Sequence, residues 1–143
     1  MRLELVKKTA SSAIYKDFAH SPSKLKATSS AMKKQFPNRK LVACMELHTF
    51  SSLNEEFLQE YKGSMNEPYK AIVYFSLSAI AHKKLEPITK EQVVAAFGRK
   101  DLLVFTDTIK LEKHLNNLNW EKTNLLMMSS GNFEGINLEN LID

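Results

Sequence analysis

The sequence predicts a three-layer, Rossmann-like α/β domain, in which helices cover both faces of a mostly parallel sheet of about six strands. The main observation is that short apolar runs alternate with segments whose apolar residues recur at helical spacing. A second observation is that the first two predicted strands are separated only by residues 9–12, which predicts an antiparallel hairpin. With 143 residues the chain has the length of one domain, and we expect residues 1–143 to form it.

Each predicted strand has its own apolar pattern. The first alternates over residues 2–8, and the second begins with an apolar run and ends at Asp17. The others are short, continuous apolar runs typical of strands that are covered on both faces. These runs occupy residues 41–45, 69–75, 102–105 and 125–128.

The predicted helices are identified by their first residues and their apolar spacing. Ser21 followed by Pro22 predicts the start of the first helix, because proline suits the first helical turn. Ser52 with Glu55 predicts a capping box for the second, and Thr89 with Gln92 predicts another. A further helix is expected to begin at residues 106–108, a short one is expected over residues 138–142, and residues 76–87 are read only as a connection.

The polar segments of the chain follow the strands. In a sheet with right-handed crossovers, the carboxyl ends of parallel strands meet at one edge, where open α/β folds bind ligands. We therefore expect one polar edge built from residues 17–20, 46–52, 76–78, 106–107 and 129–135. Asp17 and His20 are either ligand-binding groups at this edge or ordinary polar loop residues. Gly131 and Gly135 predict either an anion-binding turn or a tight turn that needs positive φ.

Composition narrows the functional class. The net charge of +4 is spread along the chain, so nucleic-acid binding has no support. The sequence contains neither a phosphate-binding loop nor a dinucleotide fingerprint, and its serines lack a nucleophile-elbow context. Spacing predicts no metal site among the histidines and carboxylates. Three features of the sequence favour a cytoplasmic location. Cys44 is the single cysteine, so no internal disulfide is possible, and no apolar run is long enough to cross a bilayer. The first residues carry charge where a signal peptide would be apolar.

Three motifs, in order along the chain, resemble those of the C-terminal domain of the Mur ligases. Residues 17–22 (Asp-Phe-Ala-His-Ser-Pro), with Ala-Thr at 27–28, resemble the motif Asp-Asp-Tyr/Phe-Ala/Gly-His-His-Pro-Thr…Ala-Thr that opens that domain. Residues 128–136 (Met-Ser-Ser-Gly-Asn-Phe-Glu-Gly-Ile) are similar to Met-Ser-Asn-Gly-Gly-Phe-Gly-Gly-Ile of members that add a murein tripeptide. Residues 47–49 (Leu-His-Thr) stand where those members have Pro-Arg-Ser and the alanine-adding members have Pro-His-Arg.

The resemblance implies a Mur ligase C-terminal domain and a role for each matched residue. Asp17 would bond the ATP ribose, Phe18 would face the nucleotide, and His20 would line the same loop. Thr49 and Ser52 stand where alanine-adding members carry arginines for the amino-acid carboxylate. No residue is assigned a catalytic role. The residues that would face the incoming amino acid or peptide are His48, Thr49, Ser52, Ser129, Ser130, Gly131, Asn132 and Phe133.

The implied activity is ATP-dependent amide ligation in peptidoglycan synthesis or recycling. An acyl phosphate would form on the carboxyl group of UDP-N-acetylmuramate, and the amine of the tripeptide would attack it. In this family the UDP-sugar and ATPase sites lie in two earlier domains, so ATP and Mg²⁺ would be bound mainly by domains in cis, and this chain alone would be inactive. Two alternatives stay open: an alanine-adding ligase, and a non-catalytic module that binds a small ligand or a partner.

Overall fold

The six predicted strands form one sheet, and the computed structural model describes residues 3–142 of the chain. Residue 2 of the predicted first strand, and the ends of the predicted 1–143 domain, lie outside the described residues. The strands are β1 (Glu4–Lys8), β2 (Ala13–Asp17), β3 (Lys40–Leu47), β4 (Lys70–Phe75), β5 (Leu103–Phe105) and β6 (Thr123–Met128). Their order in the sheet is β1-β2-β6-β3-β4-β5. Only the hairpin pair β1–β2 is antiparallel, and the other four pairs are parallel, which confirms the predicted fold class.

Residues 3–142 contain five α-helices, which are divided unequally between the two faces of the sheet. They are α1 (Pro22–Gln35), α2 (Glu55–Leu58), α3 (Leu77–His82), α4 (Lys90–Phe97) and α5 (Thr108–Asn116). One core contains Leu25, Leu58, Ile80 and Phe97, so α1 to α4 pack on the same face. The other core contains Leu111 and Leu115 of α5 together with the C-terminal segment after β6. No described helix is long and apolar enough to cross a bilayer.

Alternation along β3 assigns its side chains to these two cores. Ala43, Met45 and Leu47 belong to the first core, and Val42 and Cys44 belong to the second. Residue 46 therefore points to the same face as Val42 and Cys44. The predicted strand ended at residue 45, whereas β3 continues to Leu47, so the prediction that Glu46 opens a loop was wrong.

The predicted capping box at Ser52 was also wrong. Helix α2 begins at Glu55, and its N-cap is Asn54, whose side-chain oxygen accepts the backbone N–H groups of Glu56 and Phe57. Ser52 is buried instead, and its hydroxyl donates to the Thr49 carbonyl at 3.0 Å. Tertiary burial of the serine leaves the asparagine as the exposed residue that is able to cap.

The starts of α4 and α1 agree with the positions predicted from the sequence. Thr89 and Gln92 form the predicted capping box, and α4 ends at Gly98 with φ 69°. Ser21 is the N-cap of α1, with Pro22 following, although its side chain makes no capping bond. Helix α3 lies in the region read only as a connection. The expected C-terminal helix is only a 3₁₀ turn, Leu138–Asn140.

Candidate functional site

The strand order brings the sequence-predicted segments together at the C-terminal edge of the sheet. Because β6 lies between β2 and β3, the residues that follow these three strands are neighbours. The backbone N–H of Ser129 donates to the Asp17 carbonyl at 3.1 Å, which joins the ends of β6 and β2. On the other side, the hydroxyl of Ser129 donates to Glu46 Oε1 at 2.6 Å. The polar edge thus has Asp17 and Glu46 on either side of one serine.

A cavity of about 390 Å³ opens beside this edge, between the β1–β2 hairpin and the C-terminal segment. Its volume lies within the usual range of about 300–1,000 Å³ for small-molecule sites. Lys16 and Glu4 stand on the hairpin side of the cavity and form an ion pair of 3.4 Å. The sequence-predicted residues that line the cavity are Asp17, Phe18, Ser129, Gly131, Asn132 and Phe133.

The loop after β2 presents a carboxylate and an aromatic ring to the cavity. Asp17 is only 9% exposed, and its Oδ1 accepts the backbone N–H of Ala19 at 2.7 Å, which fixes the turn. Phe18 is 70% exposed, although it is a large apolar side chain. An exposed ring beside a fixed carboxylate suits a ligand with a flat apolar part and hydroxyl groups.

His20 does not line the cavity. Its Nδ1 lies 2.9 Å from the carbonyl oxygen of Phe18, and its own carbonyl accepts the Tyr61 hydroxyl at 2.7 Å. Tyr61 belongs to the 3₁₀ turn after α2, and burial raises its pKa to about 12. These contacts hold the main chain of the β2–α1 loop against the first core.

The turn after β6 has an unusual backbone. Phe133, Glu134 and Gly135 all have positive φ, at 54°, 55° and 82°. Left-handed backbone is unfavourable for residues other than glycine, so the turn must be held by its surroundings. The ring of Phe133 is buried in the second core, with its centroid 6.2 Å from that of Tyr74.

Glycine is required at the two positions of this turn for different physical reasons. Gly135 needs positive φ, as predicted from the sequence, whereas Gly131 does not have a φ in that range. A β-carbon on Gly131 would instead stand 2.9 Å from three atoms of the His48 ring. Between the glycines and β6, Ser130 has a buried hydroxyl without a hydrogen-bond partner among the described residues.

Glu46 is the site residue whose role sequence reasoning missed. Its carboxylate is 2% exposed and accepts both the Ser129 hydroxyl and, at 2.9 Å, the backbone N–H of Phe133. Its Oε2 lies 3.8 Å from Nδ1 of His48, which is too long for a hydrogen bond. The signal available in the sequence was a charged residue two positions before a histidine, at the end of an apolar run.

The residues after His48 form hydrogen bonds with one another within a turn. The Thr49 hydroxyl accepts the Ser52 backbone N–H at 3.1 Å, and Ser52 bonds back to the Thr49 carbonyl. Neither residue lines the cavity, and Ser52 is buried. His48 itself keeps 43% of its side chain exposed.

Cys44 and Tyr74, two ionisable side chains of the second core, are held in their protonated forms. Burial, with a smaller effect from Glu46, raises the pKa of the Cys44 thiol far above its ordinary value. Burial is also the main cause that raises the pKa of Tyr74 to about 12, with Glu134, Glu46 and Asp107 adding to it. Among residues 3–142, no three His, Cys, Asp or Glu side chains come together as metal ligands.

Comparison with solved structures assigns the fold to a class of proteins. No protein-family model matches the sequence. The fold, however, is that of the C-terminal domain of the Mur ligases, as the three motifs implied.

The matches include full-length ligases and a separate domain. A murein peptide ligase from Psychrobacter arcticus has 21% sequence identity and a TM-score of 0.73, covering 98% of this chain and 30% of that chain. A domain ascribed to a UDP-N-acetylmuramate:L-alanyl-γ-D-glutamyl-meso-diaminopimelate ligase from Haemophilus ducreyi has 21% identity and a TM-score of 0.67, covering 94% of this chain and 92% of that one. MurF ligase from Thermotoga maritima, in complex with ADP, has 20% identity and a TM-score of 0.55, covering 87% of this chain and 26% of that chain. The chain therefore spans about a third or less of the two ligases it matches.

Proposed function

We propose that this chain is the C-terminal domain of an ATP-dependent amide ligase that joins UDP-N-acetylmuramate to a murein tripeptide. The observation that carries the proposal is that Asp17 and Phe18 line the same cavity as Ser129 and residues 131–133 of the turn after β6. The resemblance gives the first to the nucleotide and the second to the incoming amine. The fold, and the 30% share of the murein peptide ligase that the chain spans, support the same proposal.

The side chains of this chain suit only part of the binding that the reaction requires. Asp17 is a good acceptor for ribose hydroxyls, and Phe18 offers a ring face to a base. The described residues bring no cluster of carboxylates or histidines together for Mg²⁺, and the sequence has no phosphate-binding loop. UDP-sugar binding, the triphosphate and Mg²⁺ therefore belong, in this proposal, to two domains in cis, in a cytoplasmic enzyme of peptidoglycan synthesis or recycling.

In the proposed reaction, an oxygen of the muramate carboxylate attacks the terminal phosphorus of ATP, and ADP leaves. The amine of the tripeptide then attacks the carbonyl carbon of the acyl phosphate, the C–N bond forms as phosphate leaves, and the amine nitrogen loses a proton. In this proposal the residues of this chain bind and orient the nucleotide and the incoming amine. An isolated chain of 143 residues should accordingly hydrolyse no ATP.

The test is Asp17→Ala in the ligase that contains this chain. One hydrogen bond to a charged acceptor contributes about 1.5–3 kcal/mol, so KM for ATP should rise roughly 10- to 150-fold while KM for the tripeptide changes little. Asp101→Ala is a suitable control, because Asp101 is an exposed carboxylate that does not line the cavity. An unchanged KM for ATP would show that Asp17 does not bind the nucleotide. ATP turnover by the isolated chain would contradict the proposal that other domains hold the triphosphate and Mg²⁺.

The alternative amine substrate is L-alanine, and His48 is the observation in its favour, because it matches the histidine of the alanine-adding members. Assaying the whole ligase with L-alanine and with L-Ala-γ-D-Glu-meso-diaminopimelate distinguishes the two. A protein that ligates neither substrate, and binds no nucleotide, would instead be a ligand- or partner-binding module.

A further inference from the structure

We propose that Glu46 is a positioning residue, which holds His48 and the turn of residues 129–133 in one arrangement and so sets the affinity for the incoming amine substrate. The proposal rests on the proposed function, since it concerns the amine side of that site. It assigns Glu46 no contact with the substrate.

The first observation is that one buried carboxylate serves two segments. Its Oε1 accepts the Ser129 hydroxyl at 2.6 Å and the Phe133 backbone N–H at 2.9 Å. These partners lie 83 and 87 residues away in the sequence, so the contacts are tertiary. Its other oxygen, Oε2, faces His48 at 3.8 Å.

The second observation is that these contacts form a closed ring of four residues. The Ser129 hydroxyl, which donates to Glu46, also accepts the backbone N–H of Gly131 at 2.8 Å. Gly131 in turn lies directly against the imidazole of His48, where a β-carbon would stand 2.9 Å from the ring. The His48 ring completes the circuit by facing Glu46. A displacement of any member must therefore move its neighbours.

The third observation concerns the position of the carboxylate. Other residues of β3 on this face, Val42 and Cys44, are apolar or nearly so, and they pack into the second core. Burying a carboxylate is unfavourable unless its oxygens are satisfied, so a purely space-filling position would favour another apolar side chain. At residue 46 the side chain lies directly below the turn that lines the cavity, and its bond to Phe133 holds the first of the left-handed residues.

The consequence is that a change at Glu46 should affect the binding of one substrate and not that of the other. The Asp17–Phe18 loop is fixed by the Ala19 bond to Asp17, whereas the side chain of Glu46 contacts Ser129, Phe133 and His48. Ser129 bonds to Asp17 only through its main chain, as part of the β2–β6 pairing. Disturbing Glu46 should therefore weaken the binding of the amine substrate and leave the nucleotide side nearly unchanged. A residue that only stabilises the fold would affect both sides equally.

The main test is Glu46→Gln in the ligase that contains this chain. Glutamine keeps the size of the side chain, and its carbonyl oxygen is able to accept from Ser129 and Phe133. Its amide nitrogen, however, then faces His48 without a negative charge. Since only the contact with the partly exposed His48 is lost, we expect KM for the amine substrate to rise about two- to fivefold, with KM for ATP unchanged and kcat falling less than KM rises. Glu60→Gln, an exposed glutamate outside the cavity, is the matched control and should leave both KM values unchanged.

A second variant guards against misfolding of the first. Ser129→Ala keeps Glu46 but removes the hydroxyl that donates to its carboxylate and accepts from Gly131, so two hydrogen bonds are lost and the same KM should rise by a larger factor. Glu46→Ala, which removes the accepting oxygen as well, should raise the same KM more than Glu46→Gln does, because both hydrogen bonds to the turn are lost. Equal changes in both KM values, or none in either variant, would overturn the positioning role.

Failure of this inference is distinguishable from failure of the proposed function. If the wild-type ligase joins an amine to UDP-N-acetylmuramate and Glu46→Gln leaves its KM unchanged, only the role of Glu46 is lost. If the wild-type protein ligates no amine, the proposed function fails, and the positioning role fails with it. NMR of the 143-residue chain separately tests the contacts, since Glu46→Ala should shift the Gly131 and Phe133 amide signals and the His48 ring signals together.

Discussion

Gly131 and His48 are packed so closely that a β-carbon on the glycine would stand 2.9 Å from Cγ, Cδ2 and Nε2 of the imidazole. The two residues follow different strands, β6 and β3, which are direct neighbours in the sheet. The φ of Gly131 lies outside the left-handed region, so the close approach, and not the backbone conformation, requires glycine at this position.

Gly131→Ala should therefore displace the His48 ring. Adding a methyl group at a tight contact typically destabilises a fold by about 1–3 kcal/mol, with part of the strain relieved because His48 is half-exposed. Chemical denaturation measures the loss, and the NMR signals of the His48 ring report the displacement. Ser130→Ala is the control, because it removes a buried hydroxyl without a described partner and should be neutral or slightly stabilising. Equal stability of the two variants would contradict the close contact.

Two residues at helix starts should respond differently to the same substitution. Thr89 accepts the Gln92 backbone N–H at 3.1 Å, and its own backbone N–H donates to the Gln92 side chain at 2.8 Å. Thr89→Ala should lower the free energy of unfolding by about 0.5–2 kcal/mol. Ser21 makes no capping bond, so Ser21→Ala should change that free energy by less than about 0.5 kcal/mol. Urea denaturation of both variants tests the difference, and a larger loss at Ser21 would contradict the described caps.

Tyr61 should make stability depend on pH in alkaline solution. Burial raises its pKa in the folded chain to about 12, compared with about 10 in an unfolded chain. Above pH 10 the unfolded chain loses this proton first, so the free energy of unfolding should fall as the pH rises towards 12. Below pH 10 the neutral phenol keeps its bond to the His20 carbonyl, and the contribution is complete.

Tyr61→Phe tests this assignment. Near pH 8 the variant should be less stable by about 0.5–1.5 kcal/mol, because it loses one hydrogen bond. The ring keeps its place beside Phe97, whose centroid lies 5.0 Å away in the wild-type chain. Between pH 10 and 12 the difference from wild type should shrink, since the variant has no proton to lose at this position. Denaturation curves at several pH values measure it, and a constant difference would show that Tyr61 does not titrate with unfolding.

Local patterns determined much of this chain. Alternation identified β1, an edge strand, and apolar runs identified the other strands, because a strand covered on both faces must be apolar throughout or nearly so. Thr89 and Gln92 identified the start of α4, because the bonds of a capping box involve residues only three positions apart. The same alternation of elements predicted a polar edge at the carboxyl ends of the strands, and the motifs in its loops carried the resemblance to Mur ligases.

Tertiary structure decided what local patterns leave open. The sequence predicted the cap at Ser52, but Ser52 is buried with its hydroxyl bonded to the Thr49 carbonyl, and Asn54 caps α2 instead. The insertion of β6 between β2 and β3 is a choice of strand order, which alternation of elements does not specify. Glu46 became a buried site residue only because partners 83 and 87 positions away satisfy its carboxylate. A sequence pattern records what neighbours in the chain require, whereas burial of a charge is decided by residues that meet only in the folded protein.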